Sequence, residues 1–310
     1  NLAVMIPSVF NGSKIVFMPP GRLDPDVAAR IIEQEGVTRF GGVPTVVARI
    51  LDSGVHEKYD FSTVTGIGYG GAPASPRLLA RIVEAFPSVG DRVVQGYGLT
   101  ETSAITTVNV GPDYLARPNS AGIAAPSVEI RIAGPDGEAL PPGRVGEIWV
   151  RGANVIPRYW NRPEADAAGF TDGFLHTGDL GYLDADGFLY VTDRAKDMVI
   201  RGGENVYCVE VEAVLEEHPA VREVAVVGVP HPELGEEVKA VAVIAAEADI
   251  SAEELLAFAA RRLAPFKVPT QWELTTEMLP RNPSGKVLKA ALREGGSVAH
   301  AVGEETDSAL

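Results

Sequence analysis

Residues 65–98, TGIGYGGAPASPRLLARIVEAFPSVGDRVVQGYG, place two short apolar runs ending in glycines on either side of an amphipathic stretch. TGIGYGG reads as a strand running into glycines, SPRLLARIVEAF as a helix, and RVVQGYG as a second strand ending in glycine. A strand, a helix and a strand in this order make a parallel crossover. The same alternation extends upstream. DPDVAARIIEQEG predicts a helix with Val27, Ile31 and Ile32 on one face and a stop at Gly36; VTRFGGV predicts a short strand; PTVVARILDSG opens a further helix with Pro44 in its first turn. The front of the chain is therefore expected to be a mostly parallel sheet carrying helices.

Before that lies NLAVMIPSVFNGSKIVFMPP, read as an apolar segment, a turn at Asn11-Gly12 and a strand-like KIVFM closed by Pro19-Pro20-Gly21. It has no charged n-region followed by an apolar run and a cleavage site, so it does not read as a signal peptide. It also lacks an initiating Met and reads as the middle of a fold, the later part of a longer chain. Beyond about residue 110 the pattern changes to short strands with turn signals, VEIRIAGPDGEALPPGRVGEIWVRG and FLHTGDLGYLDADGFLYVTDR, which predict an antiparallel module, barrel-like or sandwich-like. After DRAKDMVIRGGENVY the pattern is mixed again. A helix is predicted at VEVEAVLEEHP, strands at EVAVVGVP and EVKAVAVIA, and a helix at SAEELLAFAARRL with the capping pair Ser251 and Glu254 and the stripe Leu255, Phe258, Ala259 and Leu263.

The fold class is thus α/β and α+β in two domains. The expected organisation is a large domain over 1–193, a hinge over 194–197, a small α+β domain over 198–294 and a mobile tail over 295–310.

Composition sets the limits on function. The chain has 310 residues, 45% of them apolar, with 33 Gly and 23 Pro and no repeat, which describes a turn-rich globular protein. Lys and Arg number 27 against 42 Asp and Glu, a net charge of −15, so a general nucleic-acid binder is excluded for want of a basic face. No run approaches the ~18 apolar residues that cross a bilayer. Cys208 has no partner for an intramolecular disulfide, which points to a reducing, cytoplasmic setting. Between Arg261 and Arg293 seven bases (Arg261, Arg262, Lys267, Arg281, Lys286, Lys289 and Arg293) face two acids, Glu273 and Glu277, so this stretch is a candidate anion site; a basic surface without a ligand is the competing reading.

Among phosphate-binding patterns, Gly66, Gly68 and Gly71 satisfy G-x-G-x-x-G after a strand. However, Ala72-Pro73-Ala74-Ser75-Pro76 delays the helix, and no acid ends a strand some 20 residues on, as a dinucleotide site requires. Gly285-Lys286 is not a Walker loop, because Pro280 stands at the first glycine position and Val287 at the Ser/Thr position. G-x-S-x-G, H-E-x-x-H and C-x-x-C are absent.

Four strings carry the remaining signal: GYGLTE at 96–101, HTGDLG at 176–181, DRAKDMVIRGGENVYCVEVE at 193–212 and PRNPSGKVLKAALR at 280–293, with GGAPAS at 70–75 and GEIWVRG at 146–152 in the same order. Together they resemble the adenylate-forming superfamily, in its acyl-CoA synthetase branch. The resemblance implies an enzyme that uses ATP, Mg²⁺ and CoA on a carboxylic acid, with a fatty acid favoured by GENVY followed by VEVE. It assigns Gly70, Gly71, Ala72 and Pro73 to the adenine as a backbone wall, with Tyr97 stacking on the ring. Thr100 would bond the α-phosphate, Glu101 would bind Mg²⁺, Asp179 would hold the ribose hydroxyls and Arg194 would add donors beside them. It makes Lys286 the catalytic lysine, Lys196 the hinge residue, and Gly202 and Gly203 the border of the CoA arm's tunnel. Without the other strings, Glu101 reads as a first-turn helix carboxylate, Asp179 as a turn residue and Gly202-Gly203 as a β-turn. The family's phosphate loop ending in Pro-Lys-Gly is absent, and Arg158 in IPRYWNRPE has no assigned role. Acyl transfer to a carrier-protein thiol and a non-catalytic nucleotide- or CoA-binding module are the alternatives; the oligomeric state stays open.

Overall fold

The protein is described by a computed structural model covering residues 2–19, 23–72, 74–245, 247–248, 250–282 and 286–293. It divides into two compact units, Asn1–Val191 and Thr192–Leu310. No helix among the described residues is long and apolar enough to cross a membrane.

The first unit opens with α1 (Leu2–Phe10) and the turn at Asn11-Gly12. Residues 13–19 form no strand, against the reading of KIVFM. A strand needs a hydrogen-bonding neighbour, and the apolar run Ile15–Met18 meets none among the described residues, leaving Phe17 69% exposed. The predicted crossovers follow: α2 (Pro25–Glu35), β1 (Arg39–Gly42), α3 (Pro44–Asp52), β2 (Gly66–Gly70), α4 (Pro76–Ala85) and β3 (Val93–Tyr97). Asp24 caps α2 by accepting from Asp26 N and Val27 N, and Ser75 caps α4 by accepting from Leu78 N, so both helices start where the side-chain acceptors stand. β1, β2 and β3 pair in parallel, and β4 (Thr107–Val110) and β5 (Ile123–Ala124) extend the sheet antiparallel beyond β3. Short α5 (Pro112–Ala116) follows β4. Ile32, Val47, Ile50, Ile67, Leu79 and Ile82 form the core under the helices.

The next sheet runs β10-β9-β7-β6, from β6 (Val128–Ala133), β7 (Gly146–Gly152), β9 (Phe174–Leu183) and β10 (Leu189–Arg194), with β8 (Phe170–Thr171) paired to β9 after α6 (Pro163–Gly169). It is antiparallel where its register is defined and open, not closed into a barrel. Gly122 bridges Leu189, and Ala121 N and Ser120 Oγ both donate to Leu189 O, joining this sheet to the segment after β4.

The second unit contains β11 (Val199–Arg201), β12 (Glu204–Val206), α7 (Cys208–Glu216), β13 (Val221–His231), β14 (Gly235–Ile244), α8 (Ala252–Ala260), β15 (Gln271–Thr275) and α9 (Lys289–Arg293). β13 and β14 form a long antiparallel pair, and β15 adds to β14 in parallel. The capping box of Ser251 and Glu254 forms as expected, and Leu255, Ala259 and Leu263 are buried against α7 and the sheet. The expected tail lies outside the described residues.

Candidate active site

In the first unit the site residues collect where the parallel strands end. Gly70 and Gly96 are register partners at the ends of β2 and β3, and a Cβ on Gly70 would stand 2.5 Å from Gly96 O. The strands therefore meet as bare backbone, with Gly71 turning away at φ +79° and Ala72 exposed. Pro73, assigned to the same wall, lies outside the described residues. Beneath this floor Tyr69 and Tyr114 share a hydroxyl–hydroxyl bond of 2.8 Å, and Tyr114 Oη donates to Gln95 Oε1 at 2.6 Å. Burial pushes both phenols up, Tyr114 to about 12, so they remain neutral braces.

Tyr97, the last residue of β3, donates its phenolic proton to Asp179 Oδ2 at 2.7 Å. This one bond spans the first two sheets and joins two residues that the sequence assigned to one nucleoside. Asp179 is buried and its backbone N–H donates to Thr177 Oγ1 at 3.1 Å. Glu147 on β7 supports the same stretch of β9, accepting from Gly178 N at 3.0 Å and from Trp149 Nε1 at 2.9 Å, while Trp149 stacks on His176 with centroids 4.1 Å apart.

After β3 the chain makes a single 3-10 turn, Thr100–Thr102, with Thr100 exposed and Glu101 half-buried. Ser103 and Ala104 then adopt φ of +53° and +82°, a costly conformation for residues with a Cβ. Asn154 holds it: Nδ2 donates to Thr102 O at 3.0 Å and to Ile105 O at 2.6 Å, and its main-chain carbonyl accepts from Ser103 Oγ at 2.9 Å. Two further bonds arrive from the same segment, Ile156 N to Glu101 O at 2.8 Å and Tyr159 Oη to Glu101 Oε1 at 3.2 Å. Burial raises the Tyr159 pKa, and the carboxylates of Glu101 and Asp166 add to it, so this phenol keeps its proton. No group of three or more His, Cys, Asp or Glu gathers as a metal cage among the described residues. A lone carboxylate beside an anionic ligand suits magnesium, which takes one or two carboxylates plus phosphate oxygens and water.

In the second unit Arg194 and Lys196 are exposed in a turn that closes with Asp197 N and Met198 N donating to Arg194 O. The turn is anchored on both sides. Buried Asp193 accepts from Arg194 N and from Cys208 N, and Arg293 on α9 reaches Asp197 Oδ1 at 3.0 Å. Cys208 is fully buried, its thiol donates to Asp197 O, and burial pushes its pKa up. Gly202 and Gly203 form the two-residue turn between β11 and β12, with φ of +58° and +87°. A hairpin this tight requires positive φ at both positions, so the turn by itself accounts for both glycines. Lys286 is exposed and its backbone closes on Asn282, N to Oδ1 at 2.9 Å and O from Asn282 N at 2.9 Å.

The basic stretch is not one anion site. Arg262 pairs with Glu217, Lys267 with Glu210, Arg281 with Glu223, Lys289 with Glu212 and Arg293 with Asp197. The neutralising carboxylates come from distant positions that a local charge count does not see. Burial is the largest single influence on Lys289 and opposes its charge, but Glu212 at 2.7 Å, Cys208 and Asp193 together outweigh it and raise the pKa above that of an ordinary lysine.

Comparison with known proteins identifies the family. Residues 1–160 match the AMP-binding enzyme family, and residues 210–286 match the AMP-binding enzyme C-terminal domain. The chain belongs to the AMP-binding enzyme family. It is 41% identical over 290 residues to a feruloyl-CoA synthase from an Amycolatopsis species, covering 94% of this chain and 58% of that protein. It is 40% identical over 296 residues to a long-chain-fatty-acid–CoA ligase of Bacillus subtilis, covering 94% and 51%. Among solved structures, the o-succinylbenzoate CoA synthetase of Bacillus subtilis in complex with its acyl-adenylate intermediate superposes with a TM-score of 0.81 at 37% identity, covering 94% of this chain and 58% of that one. The chain spans about half the length of the curated relatives it matches.

Within the family frame, the first unit brings together Gly70, Gly71, Tyr97, Thr100, Glu101 and Asp179, while Arg194, Lys196, Gly202, Gly203 and Lys286 stand in the other unit. Sequence reading missed Asn154, Tyr159 and Glu147. The first two sit just after GEIWVRG, and only a fold that returns them to the 100–105 turn reveals their use.

Proposed function

We propose that the protein carrying this chain is an acyl-CoA synthetase. It activates a carboxylic acid, a fatty acid in the first instance, with ATP to an acyl-adenylate and pyrophosphate, and then passes the acyl group to the thiol of CoA with release of AMP. The observation that carries this reading is the Tyr97–Asp179 bond beside the bare strand ends at Gly70 and Gly96. A flat base needs a close backbone wall and an aromatic face, and a ribose needs a fixed acceptor; these stand side by side. Names of relatives span ferulate, long-chain fatty acids and o-succinylbenzoate, and they support an acid substrate without narrowing its chain.

In this reading Gly70, Gly71, Ala72 and Pro73 wall the adenine, Tyr97 lies against it, Asp179 accepts from the ribose and Arg194 adds donors beside it. The Thr100 hydroxyl donates to the α-phosphate, and Glu101 holds magnesium, which neutralises phosphate charge when bound. Lys286 steadies the negative charge that moves from the attacking carboxylate to the departing pyrophosphate. The C-terminal unit turns at Lys196 between the two half-reactions and brings Gly202-Gly203 to the CoA arm. The buried single cysteine and acidic surface suit a reducing, cytoplasmic setting.

The test is acid-dependent ATP–pyrophosphate exchange with full-length protein over a panel of fatty and aryl acids, followed by CoA-dependent thioester formation. Exchange with a fatty acid and thioester with free CoA are expected. Absence of exchange across the panel removes the enzyme reading. Exchange without thioester until a carrier protein is supplied moves the acceptor to a carrier thiol.

A further inference from the structure

The string IPRYWNRPEADAAGF, for which the reaction scheme has no use, folds into a device aimed at Glu101. α6 (Pro163–Gly169) buries none of its residues, so it contributes nothing to the core. What it does provide is Asp166, whose Oδ1 accepts from Tyr159 N at 2.7 Å. Directly after α6, Phe170 meets the Tyr159 ring edge-on, with centroids 6.1 Å apart. A backbone bond on one side and a ring contact on the other fix both the position and the direction of the tyrosine. Its hydroxyl points at Glu101 Oε1, 58 positions away in sequence.

The carboxylate is held from its other end as well. Ile156 N, three residues before the tyrosine, donates to the Glu101 carbonyl at 2.8 Å, and Asn154 secures the two carbonyls on either side of the strained Ser103–Ala104 step. One short segment, 154–159, therefore fixes both the main chain and the side chain of Glu101. A carboxylate with two or more free rotors would otherwise present either oxygen in several directions. With Oε1 held by a proton donor, Oε2 is the oxygen left to serve as a ligand.

We infer that Tyr159 is a positioning residue for Glu101: its phenolic O–H holds Oε1 so that Oε2 is presented to the magnesium of the bound nucleotide. This rests on the proposed function, in which Glu101 holds that ion. Outer partners of this kind orient a ligating carboxylate, and their removal costs roughly 10- to 100-fold in metal affinity. Asp166 and Phe170 act one step further out by holding the tyrosine.

The test uses full-length protein with a non-hydrolysable ATP analogue and Mn²⁺ as the probe, with free Mn²⁺ read by its paramagnetic resonance signal. Tyr159→Phe keeps the ring and its contact with Phe170 and removes only the hydroxyl. It is expected to weaken Mn²⁺ binding by about 10-fold or more, to raise the Mg²⁺ concentration needed for half-maximal pyrophosphate exchange by a similar factor, and to leave thioester formation from pre-made acyl-adenylate unchanged. Asp166→Ala, which removes the acceptor for Tyr159 N and loosens the ring without touching the hydroxyl, is expected to shift Mn²⁺ binding in the same direction by a smaller factor. Glu101→Gln is the reference. If it weakens Mn²⁺ binding and Tyr159→Phe does not, the inference is wrong while the reading of Glu101 stands. If Glu101→Gln itself leaves Mn²⁺ binding unchanged, Glu101 is not the ligand, and both the inference and that part of the proposed function fall.

Discussion

The sheet ends of the first unit and the interior of the second are built by opposite means. Around β2 and β3 the chain leaves side chains out: a Cβ on Gly41 would overlap Gly68 O, one on Gly70 would meet Gly96 O, and one on Gly98 would stand 2.2 Å from Ala104 O. In the second unit the chain puts charge in. Lys239 bonds Glu273 at 2.9 Å, Arg201 bonds Glu237 at 2.7 Å and Lys289 bonds Glu212 at 2.7 Å, each with side chains mostly withdrawn from water. Close backbone contact tolerates no added atom, but it has no charge to lose. A charged interior tolerates changes of shape at its surface but not the loss of one partner. The two regions should therefore fail in different ways.

The largest effect is expected where a buried pair is broken. Lys289→Met leaves Glu212 without its cation, and the second unit should lose roughly 3 to 5 kcal/mol of stability, whereas Lys289→Met together with Glu212→Leu should recover most of it. Denaturant unfolding read at Trp272, with Trp149 and Trp160 replaced by Phe, follows that unit alone. A double variant no better than the single would show that the pair is not what holds α9 to α7. Next is Gly98→Ala. The added methyl cannot coexist with the Ala104 carbonyl, so the 99–106 turn must move, and a displacement near 1 Å beside reacting groups costs about 100-fold in rate. Pyrophosphate exchange in full-length protein should fall by that factor while its far-ultraviolet circular dichroism stays the same.

Asn154→Ala sharpens the contrast, because it removes donors from the strained turn without adding bulk. Two backbone carbonyls lose their partner, at a cost of roughly 1 to 3 kcal/mol for buried groups, and exchange should drop by about 10-fold, less than for Gly98→Ala. An Asn154→Ala enzyme with wild-type exchange would show that the turn keeps its positive-φ residues unaided. The smallest effect belongs to Gly203→Ala, whose new Cβ meets no atom within 4 Å. Its cost is the left-handed backbone alone, about 1 to 2 kcal/mol. If thioester formation with CoA also falls steeply while adenylation is untouched, the open space at this turn serves the thiol arm; an effect on stability alone makes it a hairpin turn and nothing more.

What could be read from sequence was what repeats or sits close together. The βα alternation of 24–98, the capping pair Ser251 and Glu254 and the tight Gly202-Gly203 turn all depend on neighbours within a few residues, and each appears in the structure. What escaped depends on long reach. Asn154 acts on carbonyls about fifty positions upstream, and Arg262, Lys267, Arg281 and Lys289 are answered by Glu217, Glu210, Glu223 and Glu212, so a window of composition left an anion site and a plain basic surface both open where the fold makes ion pairs of these four. KIVFM has a strand's composition and no strand's neighbour, because a short apolar run states that a segment suits a strand but not whether an edge is there to receive it. Short strands with turns likewise did not distinguish an open sheet from a barrel, since closure is decided by pairing of the first strand with the last.

Cys208 is the chain's single cysteine, has no exposed surface and is tied to the Asp197 carbonyl. The native chain is thus almost silent toward thiol reagents, and any cysteine placed on its surface becomes its one addressable position in each unit. Glu84 on α4 and Glu253 on α8 are both exposed and belong to different units. Spin labels at these two sites would turn the proposed rotation into a measured distance: one distribution with ATP and acid, and a second after CoA is added to the trapped adenylate.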